Sequence, residues 1–228
     1  MIFGRKKLCI FCGRCLSYEL MHTVYKGIGI CSECYSDLLT TKDKSFEGRE
    51  HIKMLLAPFF YYGSMRRVVR KFKFSDQELY GELLGKMLSE ELSVHKWISE
   101  YDCIIPVPLH ENRLKEREYN QSEILSHAIS KDFRVSVCED YLMRVKDTQR
   151  QSSLKGIDRK ENVKNAFYAD KKNVMGKRII LIDDIYTMGE TIDACAKELK
   201  AKVAKDVLAI TLCKTPQKEI NEYFDLIH

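Results

Sequence analysis

The sequence lacks any hydrophobic run long enough to cross a membrane. A spanning helix needs roughly 18 to 20 predominantly apolar residues, and no stretch of this chain approaches that length. The first ten residues, MIFGRKKLCI, also lack the long apolar core of a secretory signal. We therefore predict no transmembrane segment and a location in the reducing cytoplasm.

Internal repeats and low-complexity segments are absent as well, so a repeat array is not expected. Hydrophobic residues make up 45% of the chain and charged residues 31%, which is typical of a globular rather than a disordered protein. A length of 228 residues allows one ordinary domain with a small appendage. The net charge of +5 only weakly favours anionic partners, because the arrangement of charges matters more than their sum.

Cysteine is concentrated at the N-terminus, where five of the nine cysteines lie within residues 9–34. In a reducing compartment such clustering favours a metal site over disulfides. The remaining four cysteines have apolar neighbours and are expected to be small buried hydrophobic residues. They are Cys103, Cys138, Cys195 and Cys213.

Two CxxC units, Cys9/Cys12 and Cys31/Cys34, are separated by eighteen residues. This spacing is typical of four-cysteine zinc sites. Four thiolates fill a tetrahedral Zn²⁺ shell, so the predicted role of the ion is structural. Cys15 and His22 remain alternative ligands; we prefer Cys9/Cys12 over Cys12/Cys15 because Gly13 directly follows it and lets backbone amides approach the sulfur.

The rest of the chain predicts an α/β architecture. Apolar residues recur at helical spacing in 64–74 and 76–97, with Asp76 as the expected N-cap of the second helix. Strands are predicted at 101–109, 134–138, 177–185 and 206–214, and further helices at 120–130 and 192–202. Alternating strands and helices favour a mostly parallel sheet flanked by helices. The predicted division is 1–40, a four-cysteine zinc module; 41–98, a linker and helical segment; and 99–228, the α/β domain.

The segment IILIDDIYTMGETI (179–192) is the most informative motif. Four apolar residues lead into two aspartates, and a short loop with threonine and glycine then enters a helix. Such a loop directs its backbone amides, together with the N-terminus of the helix, toward one point. Backbone N–H groups and the positive end of a helix dipole attract negative charge, so this geometry binds anions. In open α/β sheets ligands bind beyond the carboxyl ends of the strands. We therefore expect a phosphate-bearing ligand here.

This segment resembles the phosphoribosyl pyrophosphate (PRPP) motif of type I phosphoribosyltransferases. The resemblance implies that Asp183 and Asp184 face the ribose hydroxyls, and that Mg²⁺ accompanies the pyrophosphate. The 5′-phosphate would be held by the loop Thr187, Met188, Gly189, Glu190 and Thr191. The family usually has Thr-Thr-Gly where this chain has Thr187-Met188-Gly189, and Glu190 would repel a dianion unless its side chain turned away.

The resemblance extends over almost the whole chain and is to the ComF family. It is carried by the cysteine head and by three further segments: YYGSMRRVVRKFKF (61–74), IIPVPLHENRLKEREYNQSEIL (104–125) and LMRVKDTQRQSSLKGIDRKENVKNAF (142–167). It implies a type I phosphoribosyltransferase-like fold and a role in natural transformation, the uptake of single-stranded DNA.

The ComF resemblance also implies roles for individual residues. Lys73 stands in the segment that carries the family's lysine, and Val107 and Pro108 begin the loop expected to receive pyrophosphate. Arg113, Lys115 and Arg117 follow as a possible basic hood over that loop, and Arg117 and Lys73 are candidate catalytic residues. The family's Arg-Gly-Phe-Asn-Gln pattern has Glu118 in place of glycine here.

Basic residues form two clusters that could follow a nucleic-acid backbone. Arg66, Arg70 and Lys73 fall on nearly one face of the helix predicted at 64–74, and Arg144 and Arg159 belong to the second cluster. We expect single-stranded DNA to contact them, with an affinity that falls as salt rises.

The sequence therefore predicts a cytoplasmic accessory protein of DNA uptake that binds PRPP and single-stranded DNA. Competence-machinery proteins are possible partners, and association with the membrane DNA-uptake machinery is compatible with this role. Two alternatives stay open: an active phosphoribosyltransferase acting on a nucleobase or related acceptor, and a zinc-dependent interaction module with a vestigial pocket.

Overall fold

A computed structural model describes residues 7–16, 21–25, 28–43, 46–74, 77–147, 163 and 165–217. The strands are β1 Lys7–Leu8, β2 Cys15–Leu16, β3 Met21–Tyr25, β4 Ile28–Cys31, β5 Phe46–Arg49, β6 Ile52–Leu56, β7 Phe59–Phe60, β8 Cys103–Pro106, β9 Leu142–Arg144, β10 Phe167–Ala169, β11 Arg178–Tyr186 and β12 Asp206–Lys214. The α-helices are α1 Ser32–Thr40, α2 Gly63–Phe74, α3 Gln77–Leu92, α4 Glu111–Arg117, α5 Gln121–Phe133, α6 Lys171–Val174 and α7 Glu190–Ala201.

The central sheet has the order β5-β6-β12-β11-β8, with β7 pairing the end of β12. Strands β6, β8, β11 and β12 run parallel, and β5 is antiparallel to β6. A second, two-stranded antiparallel sheet consists of β9 and β10. The predicted fold class, a mostly parallel sheet flanked by helices with a four-cysteine cluster at the N-terminus, is confirmed.

The central strands are apolar throughout because both faces of the sheet are covered. Ile180 and Ile182 of β11 belong to the core on the side of α2, α3 and α5. Their neighbours Ile179 and Leu181 belong to the core on the opposite side, which includes residues of α7. All four side chains are fully buried. A parallel strand in this position needs no polar face, which explains why its sequence shows no alternation.

The two helices predicted before the first long strand are present. Helix α2 buries Met65, Val68, Val69 and Phe72, the apolar face expected from their spacing. Helix α3 ends at Leu92, and a 3₁₀-helix follows at Lys96–Glu100, where the sequence predicted one continuous helix to residue 97. The Ser93 hydroxyl and amide both bond the Glu90 carbonyl, which tightens the last turn and ends the helix. The expected N-cap Asp76 lies outside the described residues.

Two sequence-based interpretations need correction. Residues 41–98 were interpreted as a linker and helical segment, but they also contain β5, β6 and β7 of the central sheet. The predicted strand 134–138 is reduced to a single bridge between Val137 and Ile104. Arg134 ends α5 in the left-handed conformation, with φ of 57°, so extended backbone starts only after it.

The cysteine module, from β1 to the end of α1, shares its core with the α/β domain. Phe11 and Leu38 belong to the same buried cluster as the apolar face of α2. The Asp37 carboxylate of α1 accepts hydrogen bonds from the Ser64 amide, at 2.6 Å, and from the Ser64 hydroxyl. It therefore caps the N-terminus of α2, and it also pairs with Arg67 at 3.2 Å. The module is thus fixed to one end of α2.

Within the described ranges, none of the helices combines the length and the apolar character needed to cross a bilayer.

Candidate functional site

A cavity of about 170 Å³ opens at the carboxyl ends of β8 and β11. This is the edge at which open parallel sheets bind ligands. Its lining consists of Lys73, Val107, Pro108, Leu109, Arg113, Arg117, Asn120, Gln121, Ser122, Arg144, Asp183, Asp184, Ile185, Tyr186, Thr187, Gly189, Thr191 and Ile192. Four cationic side chains and two carboxylates therefore meet in one space.

Most residues predicted for the PRPP site are brought together here, since the cavity is lined by Asp183, Asp184, Thr187, Gly189, Thr191, Val107 and Pro108. The catalytic candidates Lys73 and Arg117 line it as well, and so does Arg144, which was predicted for the nucleic-acid interface. Met188 and Glu190 do not: the Met188 side chain is 54% exposed, and the Glu190 side chain is buried outside the lining. The Glu190 side chain thus turns away from the cavity, which lowers its repulsion of a phosphate dianion bound there. Arg159 lies outside the described residues.

Asp183 is held by two donors at the end of β11. Its Oδ1 accepts from the Ser122 hydroxyl at 3.0 Å and from the Asp184 amide at 2.9 Å. Burial and, next, the charge of Asp184 raise the pKa of Asp183 to about 7. Asp183 therefore changes its protonation state near neutral pH.

Asp184 forms an ion pair with Lys73, the last basic residue of α2, at 2.7 Å. Both side chains are largely buried, with 11% and 19% exposed. Burial lowers the pKa of the Lys73 ammonium, but the charge of Asp184, its hydrogen bond to Lys73 and the charge of Asp183 together outweigh burial, so the pKa lies above its usual value. Lys73 stays charged and neutralises one of the two carboxylates.

The three-residue DNA-binding face predicted on α2 is divided between two sites. Lys73 lines this cavity, whereas Arg66 and Arg70 line a separate groove.

The loop between β11 and α7 supplies the anion-binding geometry. Gly189, the residue before α7, has φ of 90°, which favours glycine, and no side chain caps the helix there. A Cβ at Gly189 would lie 2.6 Å from Cζ of the buried Tyr186 ring. The N-terminus of α7 therefore begins at the cavity wall that Thr187, Gly189 and Thr191 line.

The opposite wall is formed by residues 107–122. The Val107 amide donates to the Ile182 carbonyl at 2.8 Å, and the Asn120 side chain donates to the Val107 carbonyl at 3.1 Å. Arg117 is held by Gln121, with 3.0 Å between Nη1 and Oε1. These bonds tie the loop after β8 to the start of α5.

Sequence reasoning missed the direct contact of Ser122 with Asp183. Asn120 and Gln121 stood in the recognised Arg-x-x-Asn-Gln pattern but received no role. The sequence signal for this contact was an asparagine at the start of a predicted helix. Asn120 caps α5, because its side-chain Oδ1 accepts a hydrogen bond from the Ser122 amide at 3.1 Å. The helix N-terminus that Asn120 caps faces the end of β11, and Asn120, Gln121 and Ser122 therefore line one cavity.

The four predicted metal ligands converge in the cysteine module. The sulfurs of Cys9, Cys12, Cys31 and Cys34 all lie within 4.8 Å of one another. Four thiolates at about 2.3 Å from one Zn²⁺ would be separated by roughly 3.8 Å, so the cluster is compatible with a tetrahedral metal.

Backbone amides also face these sulfurs. The Cys31 amide donates to Cys9 Sγ at 3.4 Å, and the Cys34 amide donates to Cys31 Sγ at 3.4 Å. Such bonds stabilise thiolates. The side chains of the alternative ligands, Cys15 and His22, lie outside the described part of the structure.

A second groove, of about 1270 Å³, runs between α1 and α2. Its basic residues are Arg14, Arg66, Arg67 and Arg70. Arg14 pairs with Glu33 and Arg67 with Asp37, which neutralises part of the groove. Arg66 and Arg70 are exposed on successive turns of α2.

Comparison with known proteins identifies the relatives of this chain. A model of the phosphoribosyl transferase domain matches residues 121–227. Competence protein ComFC of Streptococcus pneumoniae is 30% identical over 81% of this chain and 80% of that protein. The chain belongs to the ComF family. Competence protein F of Haemophilus influenzae is 28% identical, over 84% of this chain and 78% of its own. DNA utilization protein YhgH of Escherichia coli K12 is also 28% identical, over 68% and 69%.

The ComF pattern clarifies the position of Glu118. This residue ends α4 in the left-handed conformation, with φ of 65°, and its amide donates to the Leu114 carbonyl. Glycine adopts this conformation without steric cost, whereas an L-residue is strained by roughly 1–2 kcal/mol. A glycine at this position suits the left-handed backbone conformation, and in this chain Glu118 adopts the same conformation with the strain that a side chain brings.

Gly189→Ala should destabilise the protein more than Gly176→Ala. Both glycines have positive φ, of 90° and 75°, but only at Gly189 would the added methyl meet a neighbour, the Tyr186 ring. We expect about 1 kcal/mol for Gly176→Ala from backbone strain alone, and at least about 2 kcal/mol for Gly189→Ala. Urea denaturation of the two variants measures both values. Equal losses would show that the Tyr186 ring moves aside at no cost.

Proposed function

We propose that this ComF protein binds Mg²⁺-PRPP in the cavity at the end of β11 and acts in the uptake of DNA during natural transformation. The observation that carries the first part is the convergence of Asp183, Asp184, Lys73 and the glycine loop on one cavity. The second part is supported by the relatives, which are named for competence and DNA utilization.

The proposed binding mode assigns one wall of the cavity to each part of the ligand. Asp183 and Asp184 accept hydrogen bonds from the ribose hydroxyls, because carboxylates accept and vicinal hydroxyls donate. The amides of residues 187–191 hold the 5′-phosphate. The loop at Val107 and Pro108 receives the pyrophosphate, with Arg113 and Arg117 opposite its charge. Mg²⁺ neutralises the pyrophosphate oxygens.

The same arrangement could also transfer phosphoribose to an acceptor. Lys73 and Arg117 are then the candidate catalytic cations, since positive charge stabilises departing pyrophosphate. Pyrophosphate release that requires an added nucleobase would favour this enzyme function over a binding role.

Binding of Mg²⁺-PRPP should tighten as pH rises from 6 to 8. Asp183, with a pKa of about 7, accepts more strongly from the ribose hydroxyls when it is ionised. At pH 6 only about one tenth of the molecules carry the carboxylate, so affinity should be about tenfold weaker than at pH 8. Titration calorimetry in excess Mg²⁺ measures this change.

The control for this pH profile is Asp183→Asn, which should bind more weakly at pH 8 and show a flatter profile. Asp206→Asn, at the opposite end of the sheet, should behave as the unchanged protein does. If the affinity for PRPP changes with pH in the same way in the unchanged protein and in Asp183→Asn, the proposed role of Asp183 is wrong. The pH dependence would then come from ionisation of the ligand.

We further propose that the cysteine cluster holds one structural Zn²⁺. The four thiolates fit the ion in number, spacing and chemistry, and they leave no open position for substrate. The ion would stabilise a module too small to form a large core of its own.

Replacement of one ligand should therefore remove the metal. Cys31→Ser is expected to purify with much less than one zinc per chain and to be cleaved rapidly by protease within residues 1–40. Cys15→Ser is the matched control and should keep its zinc and its protease resistance. Metal analysis and limited proteolysis test both variants, and loss of zinc in Cys15→Ser would show that the ligand set is wrong.

Single-stranded DNA is proposed to bind at the groove between α1 and α2. Arg66 and Arg70 are exposed one helical turn apart, a spacing of about 6 Å that suits neighbouring phosphates. Tyr62 lines the same groove and offers a ring for base stacking.

The double variant Arg66→Gln/Arg70→Gln should weaken this DNA binding and reduce its salt dependence. Two lost phosphate contacts correspond to a change of about 1.4 in the slope of log K against log salt. Fluorescence anisotropy of a labelled oligonucleotide at several salt concentrations measures the slope. Lys171→Gln/Lys172→Gln removes the same charge from α6 and should leave the slope unchanged. An equal effect in both variants would mean that DNA responds only to total charge.

A further inference from the structure

Arg49, the last residue of β5, contacts the loop between β11 and α7 from outside the cavity. Its Nη1 donates to the Met188 carbonyl at 3.3 Å and to Asp193 Oδ2 at 3.2 Å. Its guanidinium lies over the Tyr186 ring, 5.1 Å from the ring centre. One side chain therefore touches the end of β11, the loop and the first turn of α7.

The bond to Met188 fixes the orientation of a peptide group. In a trans peptide the carbonyl and the following amide point in opposite directions. Arg49 holds the Met188 carbonyl on the outer side of the loop, so the Gly189 amide points to the other side. Gly189 lines the cavity there. Arg49 thus sets the direction of an amide in the anion-binding loop.

Arg49 also balances an acid behind this loop. Glu190 and Asp193 both lie in the first turn of α7. Burial raises the pKa of Asp193, and the charge of Glu190 raises it further, whereas the paired Arg49 lowers it. Without Arg49, the Asp193 carboxylate would repel a phosphate dianion at the adjacent helix N-terminus.

Arg49 follows an irregularity in the pairing of β5 with β6. The register shifts between Glu47 and Arg49, where the single residue Gly48 stands opposite two residues of β6, and Arg49 lies opposite Ile52. Arg49 therefore reaches the loop from the last paired position of β5.

We propose that Arg49 is a positioning residue for the phosphate monoester of the ligand. It orients the Gly189 amide toward the 5′-phosphate and offsets the charge of Asp193. This inference rests on the proposed binding of PRPP. Arg49 acts through the loop and does not itself line the cavity.

The test compares three ligands on five proteins by titration calorimetry. The ligands are Mg²⁺-PRPP, ribose 5-phosphate and Mg²⁺-pyrophosphate. The proteins are the unchanged chain, Arg49→Gln, Arg49→Lys, Lys53→Gln and the double variant Arg49→Gln/Asp193→Asn. Arg49→Gln should bind PRPP and ribose 5-phosphate about tenfold more weakly, because a charge-assisted hydrogen bond is lost. Its affinity for Mg²⁺-pyrophosphate should not change, since the pyrophosphate wall is distant from Arg49.

Two variants separate this role from a structural one. Arg49→Lys keeps the charge and should recover part of the affinity. Lys53→Gln, which loses a comparable exposed ion pair with Asp206 on the neighbouring strand, should bind all three ligands normally. Adding Asp193→Asn to Arg49→Gln should restore part of the affinity for ribose 5-phosphate, because it removes the repelling charge.

The outcomes distinguish the two proposals. If the unchanged protein binds PRPP and Arg49→Gln binds it equally well, the role of Arg49 is wrong and the proposed function stands. If Arg49→Gln weakens pyrophosphate as much as ribose 5-phosphate, the effect is general and the positioning role is again wrong. If the unchanged protein binds none of the three ligands, the proposed function fails and the inference fails with it.

Discussion

The need to balance two adjacent carboxylates at the end of a buried strand is the constraint on which the rest of the structure depends. Asp183 and Asp184 lie where β11 leaves the core, and low solvent access makes their mutual repulsion costly. Lys73 supplies the opposite charge from the last turn of α2. Because this ion pair is largely buried, removing either partner alone would leave an uncompensated charge, which typically costs about 3–5 kcal/mol. The position of α2 is therefore an electrostatic requirement as well as a packing one.

That requirement links the cysteine module to the cavity. Helix α2 has twelve residues and is about 18 Å long. Asp37 of the module caps its first turn, and the Tyr119 hydroxyl donates to the Phe72 carbonyl at its last turn. One end of the helix is thus held by α1 and the other by the wall that leads into α5. Lys73 can pair with Asp184 because both ends of its helix are fixed.

Much of this arrangement could be predicted from the sequence, because the signals were local. Periodicity identified α2 and α3, an uninterrupted apolar run identified β11, and CxxC spacing identified the four cysteines. The short strands β6 and β7 were missed because their pairing with β12 is set by contacts distant in sequence, and β5 was missed together with β6, the strand that it pairs with. The grouping of Lys73 with Arg66 and Arg70 followed helical angles alone, whereas a long side chain at a helix end turns toward the nearest buried carboxylate. The contact between Arg49 and the glycine loop joins residues more than a hundred positions apart.

The core shared by the cysteine module and α2 has a consequence for how the protein opens. A module with a core of its own could detach and reattach while the remainder stayed folded. Here the detachment of α1 would open the buried cluster that the module shares with α2 and would uncap α2 at the same moment. The module and the helical layer therefore behave as one cooperative unit, whose amides should exchange with solvent through a common opening rather than in two separate steps.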